Sequence, residues 1–99
     1  MSNVQDEELV LPWSTTAVLA GVDGTFEVTE GSVEFLPVKG EPGRLVILAR
    51  TIDGVTLKSD NSLIIRANDA VFEFRFTVED EENSAFTLVT ALIQGLFAP

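Results

Sequence analysis

The stretch GTFEVTEGSVEF (Gly24–Phe35) is two alternating runs around a Glu-Gly pair. Phe26 and Val28 are interleaved with Thr25, Glu27 and Thr29, and Val33 and Phe35 with Ser32 and Glu34. A period of two sends alternate side chains to opposite faces of an extended chain, so each run is a strand with one apolar and one polar face. Between them Gly31 is expected to take the positive φ of a tight turn. The stretch is a β-hairpin, and the same reading extends from it in both directions.

Upstream, TTAVLAG (Thr15–Gly21) reads as another strand and VDG (Val22–Gly24) as the tight turn after it, which makes a three-stranded meander. Downstream, PVKGEPGR (Pro37–Arg44) is a loop of prolines and glycines, followed by the apolar run LVILA (Leu45–Ala49) as the fourth strand. Asp53-Gly54 marks a turn or bulge, VTLK (Val55–Lys58) a short fifth strand, SDN (Ser59–Asn61) a turn and SLIIRA (Ser62–Ala67) a sixth strand. Asn68 and Asp69 tolerate positive φ and suit a two-residue hairpin turn. AVFEFRFTV (Ala70–Val78) alternates most regularly, with Phe72, Phe74 and Phe76 inward and Glu73 and Arg75 outward. The period then changes. Ala85, Phe86, Val89, Leu92, Ile93, Leu96 and Phe97 fall at helical spacing, with the acidic run EDEEN (Glu79–Asn83) at the helix start, where negative charge suits the dipole. Gly95 is a mild defect late in that helix. The fold class is mainly β with one C-terminal α-helix: seven short antiparallel strands, then the helix.

Ninety-nine residues make one domain, expected over residues 9–99, behind a flexible acidic tail at residues 1–8. There is no cysteine and no histidine, which removes disulfides, thiolate chemistry and the commonest general base and metal ligand. Sixteen Asp and Glu face six Lys and Arg, a net charge of −10. Such a surface repels phosphate backbones and anionic headgroups, so neither nucleic acid nor a membrane is the expected partner. The N-terminus is polar and acidic and no apolar run is long enough to span a bilayer, so the expected location is cytoplasmic.

Catalysis finds little support. The serines have no histidine partner and no G-x-S-x-G elbow, and the carboxylates sit in turns, on outward strand positions or in the helix-start run. SDNS (Ser59–Ser62) and EDEE (Glu79–Glu82) lack the spacing of a calcium loop, and GEPG (Gly40–Gly43) is not a phosphate loop. The expectation is a non-enzyme with no cofactor, no metal and no small-molecule substrate.

Seven strands and a capping helix are the plan of the pleckstrin-homology-like barrel, and the opening GTFEVTEGSVEF resembles the start of GRAM domains and of the PH module beside BEACH domains. LVILARTIDGV, with Ile52 and Val55, resembles their fourth strand and the segment after it, and SAFTLVTALIQ stands where the family places its capping helix. The resemblance runs from Thr15 to Phe97. It implies a seven-stranded, partly open antiparallel barrel capped by the helix, used as an interaction module or, in GRAM type, for lipid or membrane binding. PH domains that bind phosphoinositides carry a basic cluster around the first two strands; here TTAVLAGVDGTFEV (Thr15–Val28) holds Asp23 and Glu27 and no cation.

The expected function is therefore a module that binds a protein or peptide partner or self-associates, with GRAM-type lipid binding as the alternative. In the fourth strand one set, either Leu45, Ile47 and Ala49 or Val46 and Leu48, faces the core, and the other faces outward or lies under a loop. The candidate partner-binding residues are Arg44, Val46, Leu48 and Arg50, with Trp13 as either an anchor for the partner or a residue packed on the barrel rim.

Overall fold

A computed structural model describes residues 10–38, 43–58 and 60–95. The acidic tail at residues 1–8, the tip of the glycine-proline loop, Ser59, Leu96 and Phe97 lie outside the described residues. Seven strands and one helix succeed one another along the chain: β1 Trp13–Leu19, β2 Val22–Val28, β3 Ser32–Pro37, β4 Leu45–Leu48, a 3₁₀ turn Ala49–Thr51, β5 Ile52–Lys58, β6 Ser62–Ala67, β7 Ala70–Phe76 and α1 Glu81–Ile93. All strand pairs are antiparallel, in the sheet order β4-β3-β2-β1-β7-β6-β5. The sheet is not closed: its two edge strands, β4 and β5, are not paired with each other.

The meander is present, but its first turn lies two residues earlier than expected. Ala20 and Gly21 both have positive φ, 51° and 81°, as a two-residue hairpin turn requires. Val22–Gly24 belong to β2. Gly24 is in the strand for a packing reason: a Cβ there would lie 2.5 Å from the Leu36 carbonyl oxygen and 2.6 Å from the Phe35 ring. The second turn also differs in mechanism. Gly31 is not among the positive-φ residues. Instead the Thr29 hydroxyl accepts from the amides of Gly31 at 3.2 Å and Ser32 at 3.0 Å, so a side chain closes the turn that a left-handed glycine was expected to close. Pro37 ends β3 rather than opening the loop; it faces Gly24 beyond the last β3–β4 pair, where its missing N–H removes no ladder bond. The expected Asp53-Gly54 irregularity is a bulge between Ile52 and Gly54, inside a longer β5. The Asn68-Asp69 turn is as expected, with both φ positive.

The inward faces meet in one core. Phe26, Val28, Val33, Phe35, Leu63, Ile65, Phe74 and Phe76 are buried almost completely. Phe26 is central to it: its ring centroid lies 4.9 Å from Phe74, 5.0 Å from Phe76 and 6.4 Å from Trp13. A thirteen-residue helix is marginal alone, so α1 depends on burying a stripe against this core. The stripe is Ala85, Leu88, Val89 and Leu92. The expected face was rotated: Leu88 belongs to it, Phe86 lies at its margin and Ile93 is exposed. At 100° per residue, positions 85, 88, 89 and 92 span one narrow sector, while 86 and 93 fall on its flank. Gly95 is not a defect within the helix. It has φ +76°, and its amide bonds the Leu92 carbonyl at 3.1 Å, so it ends α1 as a left-handed cap. The helix packs most heavily on β5 and touches β6, β7, β2 and the 3₁₀ turn.

Candidate functional site

The β4 strand lies at one edge of the sheet, and its neighbour fixes the direction of every side chain. Trp13, Val28, Val33 and Ile47 are directly opposed in one row across β1 to β4, so they share the inner face. The next row, Ser14, Glu27, Glu34 and Val46, shares the outer face. The alternation left open by sequence is thereby decided. Ile47 is buried, and Val46 and Leu48 face outward, 47% and 39% exposed.

The backbone has a direction too. The Ala49 amide bonds the Gly31 carbonyl at 2.9 Å. In an antiparallel ladder the bonded pairs alternate, so Ile47 with Val33 and Leu45 with Phe35 are bonded, and Val46 and Leu48 aim their N–H and C=O groups away from β3. The Leu48 carbonyl is taken by the Thr51 hydroxyl at 2.7 Å. Both groups of Val46 and the amide of Leu48 have no protein partner among the described residues. The 3₁₀ turn ends the edge immediately, and a short edge is a common way to limit uncontrolled pairing.

The candidate arginines differ. The Arg44 guanidinium bonds Glu34 Oε1 at 3.2 Å, and Ser32 Oγ donates to Glu34 Oε2 at 2.9 Å. This relieves one of two carboxylates that the register sets directly opposite each other, Glu27 and Glu34. Arg50 is exposed on the 3₁₀ turn, without an ion pair among the described residues. Arg44, Val46, Leu48 and Arg50 therefore lie along one edge. Trp13 is not brought to them: it is half-buried on the inner face, three strands away, edge-on to Phe26. Glu73 pairs with Lys58 at 2.9 Å, and this bond, reinforced by charge attraction, raises the Lys58 amine above its ordinary value of 10.5. Among the described residues no group of three or more acidic side chains is placed to hold a metal ion, and no helix is long and apolar enough to cross a membrane.

Sequence reasoning missed a second feature, an apolar cavity of about 240 Å³ between the β1–β2 turn, the end of β3, the start of β4 and Phe72 of β7. Its walls come from four separated segments, and no local pattern announces it.

No protein-family model matches the chain, and no curated protein does. Among solved structures it is similar to the solution structure of the N-terminal PH domain of human ARAP2. The TM-score is 0.76 over 92% of this chain and 86% of that one, at 14% sequence identity. At that identity the likeness speaks for architecture alone. Seven antiparallel strands in an unclosed sheet, with one C-terminal helix, give this chain the PH-like fold.

Proposed function

We propose that this domain is a non-enzymatic interaction module, and that the β4 edge receives an extended segment of a protein or peptide partner. The observation that carries the reading is the edge itself: exposed Val46 and Leu48 beside backbone groups that have no partner among the described residues. An added strand pairs with those groups, and its alternate side chains pack on Val46. Arg50, free of an ion pair among the described residues, favours an acidic side chain at the end of that segment. Pairing through a strand of four residues buries well under the roughly 1,200 Å² of a stable complex, so self-association through this edge alone is transient. Placement with the GRAM or BEACH-associated PH type, and a cytoplasmic setting, belong to the same proposal. GRAM-type lipid binding is less favoured, because the β1–β2 hairpin carries Asp23 and Glu27 and no cation.

The test is a pair of charge insertions. Ile47→Glu puts a carboxylate in the core and unfolds the domain. Val46→Glu leaves circular dichroism and thermal melting near wild type but removes partners recovered with the wild-type domain, or any self-association seen by light scattering. A folded Val46→Glu protein that keeps every interaction of the wild type refutes the edge reading. Sedimentation with phosphoinositide vesicles, at physiological salt, refutes the preference for a protein partner.

A further inference from the structure

The apolar cavity has no part in the edge reading, and it lies where neither α1 nor the outward face of β4 reaches. Leu19 and Val22 flank the first turn, Phe35 and Pro37 end β3, Leu45 opens β4 and Phe72 stands on β7. Among the described residues, no lining side chain carries a charge or a hydrogen-bonding group. Phe35 is 2% exposed and its ring stacks obliquely on Phe74 at 5.9 Å, so that wall is anchored in the core. Phe72 is only half-buried, although it belongs to the same alternating row as the buried Phe74 and Phe76.

The surrounding charges restrict what can enter. Asp23, next to Val22, is exposed, and Arg44, next to Leu45, is engaged with Glu34. An anion here meets no free cation among the described lining residues. A polar group that gives up its water hydrogen bonds finds no replacement among the described lining side chains. We propose that this cavity binds a small uncharged apolar molecule, an alkyl chain or an aryl group. Size sets its scale. A dry cavity of about 150 Å³ accommodates benzene, so one of about 240 Å³ takes about ten non-hydrogen atoms. Among the described residues no nucleophile or general base lines the site, and the proposal is of binding alone.

The experiment titrates the domain with 1-octanol, with octanoate and with inositol hexakisphosphate, following methyl resonances by NMR. Octanol is expected to shift the Leu19, Val22 and Leu45 methyls saturably. Octanoate at neutral pH is expected to bind at least about tenfold more weakly, because its carboxylate must be desolvated or held outside. Inositol hexakisphosphate is expected to leave those methyls unmoved. Val22→Phe fills the cavity and lowers octanol affinity at least about fivefold; Leu19→Phe serves as the second filling variant, with folding of each checked by circular dichroism. Val46→Glu binds octanol as the wild type does, which separates this site from the β4 edge. The proposal is overturned by any of four results: no saturable octanol shift, equal binding of octanoate, a phosphate-driven shift of the same methyls, or a folded filling variant with undiminished affinity.

Discussion

Phe26 is the residue whose loss the barrel should tolerate least. It is fully buried and its ring meets three other aromatic rings, those of Trp13, Phe74 and Phe76. Truncation to alanine removes the buried ring and leaves a cavity that the surrounding strands cannot close, at a cost of about 3–5 kcal/mol. Because three edge-to-face or tilted pairs are lost together, each worth about 0.5–1.5 kcal/mol beyond area, the upper half of that range is expected. A domain of this size has about 5–15 kcal/mol of total stability, so the variant is left near its threshold. In urea, with a slope of about 1–2 kcal/mol/M, a loss of about 4 kcal/mol moves the midpoint by about 2–4 M. Far-ultraviolet circular dichroism is the primary probe. Fluorescence of Trp13, the single tryptophan, is secondary because it changes when its neighbour is removed. Phe72→Ala is the reference, since Phe72 is half-buried and borders the apolar cavity. It should cost about 1–2 kcal/mol. Equal losses for Phe26→Ala and Phe72→Ala would refute the assignment of Phe26 to the centre of the core.

Glu27→Lys replaces a like-charge pair opposite Glu34 with an attractive one, and should stabilise the domain by a few tenths to about 1 kcal/mol in chemical denaturation; a loss of stability would contradict the register of β2 and β3. Gly24→Ala should cost about 1–3 kcal/mol because its Cβ meets the Leu36 carbonyl and the Phe35 ring, whereas Gly31→Ala, with nothing within 4 Å, should be nearly neutral. The Lys58 amine should titrate above 10.5 in the folded domain and return to the ordinary lysine range in Glu73→Gln, as read by NMR. Since its folded value is raised, the contribution of the Lys58 charge to stability is kept on the alkaline side up to about pH 10.5 and disappears as pH rises through the folded value. An unchanged Lys58 titration in Glu73→Gln would remove the pair as its cause.

The strands were readable from sequence because most have one buried face, and their alternation survives in Phe26–Val28, Val33–Phe35 and Phe72–Phe76. Turns were less so, because several residues can meet the same backbone demand. At the first hairpin the left-handed pair is Ala20 and Gly21, while the nearby Gly24 serves close packing. At the second, Thr29 closes the turn that Gly31 was expected to close. The helix was found from its period, but its face was rotated. Apolar residues at Phe86 and Ile93 widened the stripe, and only contact with β5 and the core shows which sector is buried.

The interaction edge shows where local pattern stops. LVIL is apolar at every position, so alternation alone permits either face inward, and a one-residue change in pairing exchanges the two sets. The loop before β4 is long enough to allow either register. The choice is made by a non-local pair, Val33 opposite Ile47, which passes the inward direction of the GTFEVTEGSVEF hairpin to the next strand. Trp13 is placed on the inner face by its opposition to Val28. The outward aim of the Val46 amide comes from one further bond, Ala49 N–H to the Gly31 carbonyl, which sets the phase of the β3–β4 ladder. Side-chain direction and hydrogen-bond direction thus depend on the same register. A one-residue slip would bury Val46, expose Ile47 and turn the Val46 amide toward β3. Any partner strand that binds this edge therefore depends on the register of β3 with β4.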